Sequence, residues 1–268
     1  MPYPTVMQVA RRSGFSHLLI AALLASPSAF AGQPDPASLV NPLVGTTNGG
    51  NVFPGATMPF GMVQFSPEAT PVNLKRMIAA PGGYEYRAKQ IRGFSLTNVE
   101  GWGCAGASGD VPFMPITDPV IESPSKDFRY NYAAGFNHAD EKAEPGSYQV
   151  KLGNGVQVEL AAATRMGAAT FTFPTDKPAR VLVRTSDSEV GSTAARTEID
   201  RAAGIVTGSV TSGNFCGYLG TEDRRPYYTL YFVAKFDRPI TEMGAWKDEM
   251  VKLRDEKKMP NLHVNSSF

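Results

Sequence analysis

The most regular hydrophobic pattern in the chain is an alternation of apolar and polar residues that begins at position 148. It runs over residues 148–152 and again over 156–160, with a Gly-Asn-Gly turn between the two runs. A period of two is the period of a β-strand, so two such runs around a short turn predict a hairpin. The alternation returns over residues 169–173 and ends at Pro174.

Further strand signals follow toward the C-terminus. Residues 181–183 are a short apolar run, and residues 197–200 and 205–210 flank a turn and predict a second hairpin. Residues 227–236 are aromatic and β-branched almost throughout, as in a strand. No long amphipathic helix is visible before residue 240, and there is no βαβ alternation. Strands about ten residues apart with turns between them predict a mainly β fold, an antiparallel β-sandwich.

The segment before these strands has a different character. Residues 32–40 form a short linker rich in Pro and Ala, and residues 41–119 are dense in Gly and Pro with few periodic runs. Long irregular loops in an ordered protein are typical places for binding residues. We therefore assign one β-sandwich domain to residues 41–248 and expect its function in the first half.

Residues 1–31 are predicted to be a signal peptide. Arg11 and Arg12 precede a short apolar run over 18–25, and Ala29-Phe30-Ala31 fits the small-x-small cleavage rule. The apolar run is too short to span a bilayer, which disfavours the alternative of an N-terminal membrane anchor. The expected location is therefore outside the cytoplasm, periplasmic or secreted, with no membrane contact after cleavage.

The C-terminal residues 249–268 do not resemble the strands before them. They are charged at first and then polar, and they contain no pattern of a strand. A sandwich that ends on an unpaired edge followed by a charged tail is unusual. We interpret this segment as an atypical tail, either a disordered end or the result of a frameshift that truncates the protein.

The charge excludes two classes of partner. Lys and Arg number 26, Asp and Glu number 25, and the formal net charge is +1. Cleavage after residue 31 removes two Arg and no acid, so the mature chain is close to neutral. A nucleic-acid binder shows a basic patch and a peripheral membrane protein shows clustered basic residues, and neither is present.

The two cysteines are Cys104 and Cys216. An oxidising compartment permits a disulfide between them. Two buried free thiols are the alternative, because the sequence does not show whether the two residues meet.

No catalytic or metal-binding motif stands out. The three His residues are scattered, and there is no zinc-type cluster and no Gly-x-Ser-x-Gly elbow. A pair of carboxylates could hydrolyse a glycoside, but the sequence offers many acids and no geometry by which to choose two. We assign no catalytic residue and no metal ligand.

The candidate binding residues lie in one Gly-rich stretch. Trp102 lies between two glycines, where a flat indole face can pack against a sugar ring, and Asn98, Glu100 and Asp110 could bond sugar hydroxyls. The alternative is that Trp102 fills the core and Asp110 caps a turn.

Several motifs in a fixed order resemble one known family, the N-terminal domain of glycoside hydrolase family 92. The resemblance covers about residues 38–248. The motifs are NPLVGT (41–46), FPGA (53–56), PFGMVQ (59–64), SP (66–67), IRGFS (91–95), GWGC (101–104), GD (109–110), MP (114–115), TFP (172–174), VTGSV (206–210) and YFVA (231–234).

The resemblance implies an exo-acting, inverting and calcium-dependent α-mannosidase that trims N-glycans and related mannans. It implies two domains, an N-terminal β-sandwich and a C-terminal (α/α) barrel that carries the general acid, the general base and the calcium ligands. The sandwich lends loops to the active-site pocket, including the region around Trp102. The barrel is missing here, so the resemblance implies no calcium site on this chain.

One loop departs from the family pattern. Many relatives have Ser-His-Thr-His where this chain has Ser95-Leu96-Thr97-Asn98.

The sequence leaves three hypotheses. The first is the N-terminal domain of a truncated α-mannosidase, inactive alone, in which Asn98, Glu100, Trp102 and Asp110 line the pocket and a separately encoded barrel would be the partner. The second is a free-standing carbohydrate-binding module whose platform is Trp102 with Tyr84 and Tyr86. The third is a structural sandwich without a ligand.

Overall fold

The computed structural model describes most of the chain from residue 35 onward. It divides into two compact units, residues 1–39 and 40–268. In the first unit the described part contains a short 3₁₀ helix, Pro36–Leu39. The described residues are 35–72, 80–101, 109–189, 192, 194–212 and 227–247, together with the backbone of 250–253 and 261–266.

The second unit is built from antiparallel strands and a short 3₁₀ helix, Pro124–Asp127. The strands are β1 (Ala56–Thr57), β2 (Gln64–Ala69), β3 (Gln90–Ser95), β4 (Phe113–Ile116), β5 (Ala134–Glu144), β6 (Ser147–Leu152), β7 (Gln157–Ala163), β8 (Met166–Thr172), β9 (Arg180–Val183), β10 (Ala194–Asp200), β11 (Ile205–Ser212), β12 (Tyr228–Lys235), β13 (Gly244–Lys247), β14 (Met250–Leu253) and β15 (Asn261–Ser266).

The strands form three sheets. The largest has the order β1-β2-β3-β5-β6-β7-β8, with β4 paired to β3 and β9 paired to β4. The second sheet has the order β12-β11-β10-β15, and β13 and β14 form a separate hairpin. Every pairing among them is antiparallel.

The long strand β5 lets the largest sheet fold over itself. Its first residues pair with β3, its later residues pair with β6, and the register shifts between Phe136 and Glu141. As a result β1 and β2 pack against β6 and β7, and aromatic side chains fill the space between the layers. The ring centroids of Phe65 and Phe113 are 6.3 Å apart in an edge-to-face arrangement, which is favourable for aromatic pairs. The predicted antiparallel β-sandwich is confirmed.

Both hairpins predicted from the sequence are present. In the first, Tyr148 faces Leu160 and Val150 faces Val158, and all four side chains are buried. The second hairpin begins at the pair Asp200 and Ile205. These strands bury one face, which is why their sequences alternate.

The first half of the chain differs from the sequence interpretation, because it contains strands β1 to β4 where irregular loops were expected. Residues 65–69 in β2 and 91–95 in β3 are buried on both faces. A strand buried on both faces shows no alternation, and the Gly and Pro residues within it further obscure the pattern.

The C-terminal segment also differs, because the interpretation of residues 249–268 as a tail placed no strand there. In the structure β14 pairs with β13, and β15 pairs with β10 along Ala195 to Asp200. A six-residue strand amid charged residues is defined by its partner rather than by its own pattern.

Candidate functional site

The loop that carries the candidate binding residues is closed at its base by the two chain segments that enter and leave it. The backbone N–H of Leu96 donates to the carbonyl of Asp110 (3.2 Å), and that of Gly109 donates to the carbonyl of Thr97 (2.9 Å). The Thr97 hydroxyl donates to Oδ2 of Asp110 and accepts from the Asp110 N–H, both at 3.0 Å. Four hydrogen bonds therefore fix the start and the end of the loop relative to each other.

Asn98 ties the same loop to the start of β2. Its side-chain Nδ2 donates to the main-chain carbonyl of Gln64 (3.0 Å) and to the Ser95 hydroxyl (3.1 Å). Its backbone N–H donates to Oε1 of Gln64 (3.4 Å). Asn98 is buried, so its amide holds the loop in place from below. We call Gln64, Ser95, Thr97, Asn98 and Asp110 the loop base.

Asp110 is fully buried, and only one of its two carboxylate oxygens accepts hydrogen bonds from the described residues. Its Oδ2 accepts hydrogen bonds from the hydroxyls of Thr97 and Tyr228. Its Oδ1 has no hydrogen-bond partner among the residues that the structure describes. A buried carboxylate oxygen normally has a partner, so Oδ1 is a candidate acceptor for a ligand hydroxyl.

A second buried carboxylate, Glu68 in β2, lies directly beneath the loop base. The Ser95 hydroxyl donates to its Oε1, and Nη2 of Arg92 lies 3.5 Å from its Oε2. Burial raises the pKa of Glu68 to about 7, although Arg92 and the Ser95 hydroxyl act to lower it. The nearby carboxylates of Glu189 and Asp110 add to the increase.

Buried arginines connect this centre to the rest of the sandwich. Arg92 Nε lies 3.7 Å from Glu189, whose other oxygen lies 3.1 Å from Arg129. Arg184 binds Asp187 at 3.0 Å and donates to four main-chain carbonyls, those of Arg92, Pro124, Phe128 and Asn131. The network holds β2, β3 and the segment after β9 in one arrangement. Sequence reasoning missed these residues because the partners lie up to 95 positions apart.

The predicted site residues are only partly brought together. Asn98 and Asp110 lie in the loop base, and both are buried. Glu100 is exposed on the loop just beyond it. Trp102, Cys104 and Cys216 lie outside the described residues, so the predicted stacking platform and the predicted disulfide remain predictions.

The prediction that Tyr84 forms part of a sugar-stacking platform with Tyr86 is wrong, because Tyr84 is buried. The Tyr84 hydroxyl donates to both carboxylate oxygens of Glu141 at 2.8 and 2.9 Å. Tyr148 donates to the same carboxylate at 2.7 Å, and Nδ1 of His138 lies 2.7 Å from it. Tyr86 remains partly exposed and stacks on the His138 ring, with centroids 3.8 Å apart. A buried carboxylate needs donors, so Tyr84 serves the interior of the fold rather than a ligand.

The family resemblance implies calcium for the barrel of the full-length enzyme, and the described residues of this chain do not form a fitting set of ligands for it. Calcium takes six to eight oxygen ligands, usually including several carboxylates. Within the described part of the chain, no group of three His, Cys, Asp or Glu residues is placed to hold a metal ion. The buried carboxylates of Glu68 and Asp110 are held by hydroxyls and an arginine instead.

Comparison with known families identifies the domain. Residues 39–267 match the model of the glycosyl hydrolase family 92 N-terminal domain. Because the match covers most of the chain, the chain belongs to this family, as the resemblance in the motifs predicted.

Solved structures show the same fold. An α-mannosidase of family 92 from Bacteroides thetaiotaomicron superimposes with a TM-score of 0.71 at 26% identity, over 87% of this chain and 30% of that chain. The same protein in complex with mannoimidazole gives a TM-score of 0.69 at 26% identity, over 85% and 29%. A family 92 inverting mannosidase of the same organism superimposes with a TM-score of 0.65 at 22% identity, over 88% of this chain and 29% of that chain. At this identity the similarity shows the fold alone.

A protein relative agrees with this assignment. A secreted glycosidase of Arthroderma benhamiae is 29% identical over 161 residues, which is 60% of this chain and 20% of the relative. The chain therefore spans less than a third of the length of these relatives. Within the residues that the structure places, no helix is long and apolar enough to cross a membrane.

Proposed function

We propose that this chain is the substrate-pocket domain of a secreted or periplasmic α-mannosidase that acts on α-mannosides such as N-glycans. Family membership, the mannosidase structures and the secreted relative support this proposal. The catalytic acid, the catalytic base and the calcium would belong to the part of the enzyme that has no counterpart in this chain. The chain alone is then expected to bind sugar at most, and not to hydrolyse it.

The loop base is the observation that carries the proposal. It fixes both ends of the loop that bears Glu100 and Trp102, and a pocket loop must hold its contact residues in a fixed geometry to recognise a sugar. Trp102 would cover one face of a mannose ring, and Glu100 would accept bonds from its hydroxyls. Oδ1 of Asp110 would accept one more hydroxyl, while Asn98 holds the loop against β2.

Sugar binding tests the proposal directly. The chain has two Trp residues, Trp102 and Trp246, so intrinsic fluorescence reports on both. Mannobiose is expected to change the fluorescence of the wild type and of Trp246→Phe, but not of Trp102→Phe. Titration calorimetry should show the heat of binding lost in Trp102→Ala. No heat at millimolar mannobiose would count against the proposal.

An activity assay tests the expectation that the chain alone does not hydrolyse α-mannosides. The mature chain, supplied with calcium and an aryl α-mannoside, is expected to release no mannose. Calcium-dependent release by the chain alone would show that the catalytic residues lie within it.

A further inference from the structure

A small apolar surface lies beside the loop base, on the turn between β1 and β2. Phe60 at its tip is completely exposed, and Met58, Met62 and Met166 around it are 45%, 61% and 65% exposed. We call these four residues the Phe60 surface. Exposed apolar residues that occur singly need no explanation, but a group of four on one turn and the start of the adjoining strand β8 is typical of an interaction site.

The backbone at Phe60 is strained. Its φ is +58°, in the left-handed region that bulky side chains rarely adopt. Gly or Asn adopts the left-handed conformation with little strain. Either residue would therefore be more stable in this turn than Phe, unless the Phe side chain has a function. Strain of this kind is found at binding sites, where the side chain's contacts compensate for it. Full exposure means that Phe60 makes few such contacts within this chain.

The turn that presents Phe60 is nevertheless held firmly. The N–H of Gly61 donates to the carbonyl of Met58 (2.8 Å), and the N–H of Met62 donates to the carbonyl of Thr164 in the turn before β8 (2.6 Å). Nε2 of Gln64 donates to the carbonyl of Gly61 (3.0 Å). A fixed turn that holds an aromatic side chain in solvent is preorganised for a partner.

Gln64 also joins this turn to the loop base. Its amide nitrogen binds the Phe60 turn, while its amide oxygen and its main-chain carbonyl accept bonds from Asn98. One side chain therefore contacts both the turn that carries Phe60 and the loop that carries the proposed sugar contacts. A partner bound to the turn would therefore lie next to the loop base.

We propose that the Phe60 surface is the contact between this chain and the catalytic part of a family 92 enzyme. The proposal rests on the proposed function. This chain covers 30% and 29% of two family 92 structures, so the greater part of each of those enzymes lies outside the matched region and is the candidate partner. Met and aromatic side chains are enriched at such interfaces, because Met adapts its shape and a ring supplies a large buried area.

The test measures association of the mature chain with a separate polypeptide. The probe is the part of the Bacteroides thetaiotaomicron α-mannosidase that this chain does not match, and sedimentation velocity measures complex formation. The wild-type chain is expected to associate, and Phe60→Asn is expected to weaken the association at least about tenfold. Tyr231→Asn, which changes another exposed aromatic residue on β12, is expected to have no effect.

The stability of the variant separates a docking role from a structural one. Asn tolerates the left-handed conformation, so Phe60→Asn should melt at the same temperature as the wild type or higher. A lower melting temperature would mean that Phe60 supports the fold of this chain, and would overturn the proposal.

The other outcomes are also decisive. No association of the wild type at about 0.1 mM, or equal association of Phe60→Asn, overturns the proposal. A wild-type chain that pairs only with itself through Phe60 overturns it in favour of a dimer contact. Loss of mannobiose binding in Phe60→Asn with association unchanged would make the surface a sugar subsite. Mannobiose binding by the isolated chain, lost only in Trp102→Ala, would support the proposed function even if the docking surface fails.

Discussion

The hydroxyl of Tyr228 donates a hydrogen bond to the buried carboxylate of Asp110, 118 residues away in the chain. Tyr228 begins β12 in the second sheet, while Asp110 closes the loop that follows β3 in the first. Burial, together with the charge of Asp110, raises the pKa of Tyr228, so this hydroxyl stays protonated and remains a donor at physiological pH. This bond connects the second sheet to the proposed sugar-binding loop.

Tyr228→Phe is expected to weaken the loop base without creating a cavity. The loss of a hydrogen bond to a charged group costs about 1.5–3 kcal/mol of the free energy of unfolding. Mannobiose affinity should fall as well, because the loop ends are less firmly held. Urea denaturation and calorimetry measure the two effects. Tyr231→Phe, on the same strand with its side chain in solvent, is the control and should change neither quantity.

The stability of the chain is expected to fall as the pH rises from about 4.5 to about 7. Glu68 has a pKa of about 7 in the folded protein against 4.5 for the unfolded chain, because its carboxyl is buried. Between these values the folded state keeps a proton that the unfolded state has released. The contribution is complete below pH 4.5 and is lost by the time the pH exceeds 7, a change on the order of 3 kcal/mol.

Glu68→Gln isolates this contribution, since an amide does not ionise. Thermal melts between pH 5 and 8 should show a decline in the wild type that is reduced in the variant. Glu159→Gln, an exposed residue of β7, should retain the wild-type decline. A wild-type melting temperature that rises over this interval, with the same rise in Glu68→Gln, would contradict the assignment.

Gly83→Ala is expected to destabilise the protein more than a Gly→Ala change at the same backbone angle elsewhere. A Cβ on Gly83 would lie 2.6 and 2.7 Å from the Glu68 oxygens and 2.8 Å from Oδ1 of Asn98. Gly49 has nearly the same φ, +80° against +81°, but nothing lies within 4 Å of its added Cβ. Gly49→Ala should cost about 1–2 kcal/mol for the left-handed conformation alone. Gly83→Ala should cost at least about 1 kcal/mol more, which urea denaturation would measure.

Arg184→Met is expected to be among the most destabilising single substitutions. It leaves the buried Asp187 without its charged partner and removes the donors to four carbonyls. Breaking one side of a buried ion pair costs about 3–5 kcal/mol. Lys142→Met breaks the exposed pair with Glu144 and should have little effect on unfolding. Similar unfolding midpoints for the two variants would show that the buried Arg184 network stabilises the fold no more than the exposed Lys142–Glu144 pair does.

The sequence predicted the fold best where a strand buries one face. In β6 and β7 the alternation was visible because Tyr148, Val150 and Leu152 are buried while their neighbours are exposed. In β2 the residues Ser66, Pro67 and Glu68 are buried together, so polarity does not reveal the strand. The strands of residues 41–119 were missed for that reason.

The candidate site shows the same division. Asn98 and Asp110 could be named from the sequence, because they are polar residues close to Trp102 in one Gly-rich stretch. The burial of Tyr84 could not be predicted from the sequence, because Glu141, which accepts its hydroxyl hydrogen bond, is 57 positions away on β5. Gln64 lies in the PFGMVQ motif but was not named as a site residue, although it contacts both the Phe60 turn and Asn98.

The sequence by itself determined the β-sandwich class and the family, because strand periodicity and ordered motifs are local properties of the chain. Only the tertiary structure decided which polar residues are buried and with which partners. It placed Glu68 beneath the loop base, Tyr228 on Asp110 and Phe60 in solvent. These relationships depend on contacts between residues far apart in sequence, and a buried charge or an exposed aromatic ring has its energetic meaning only in the environment that such contacts create.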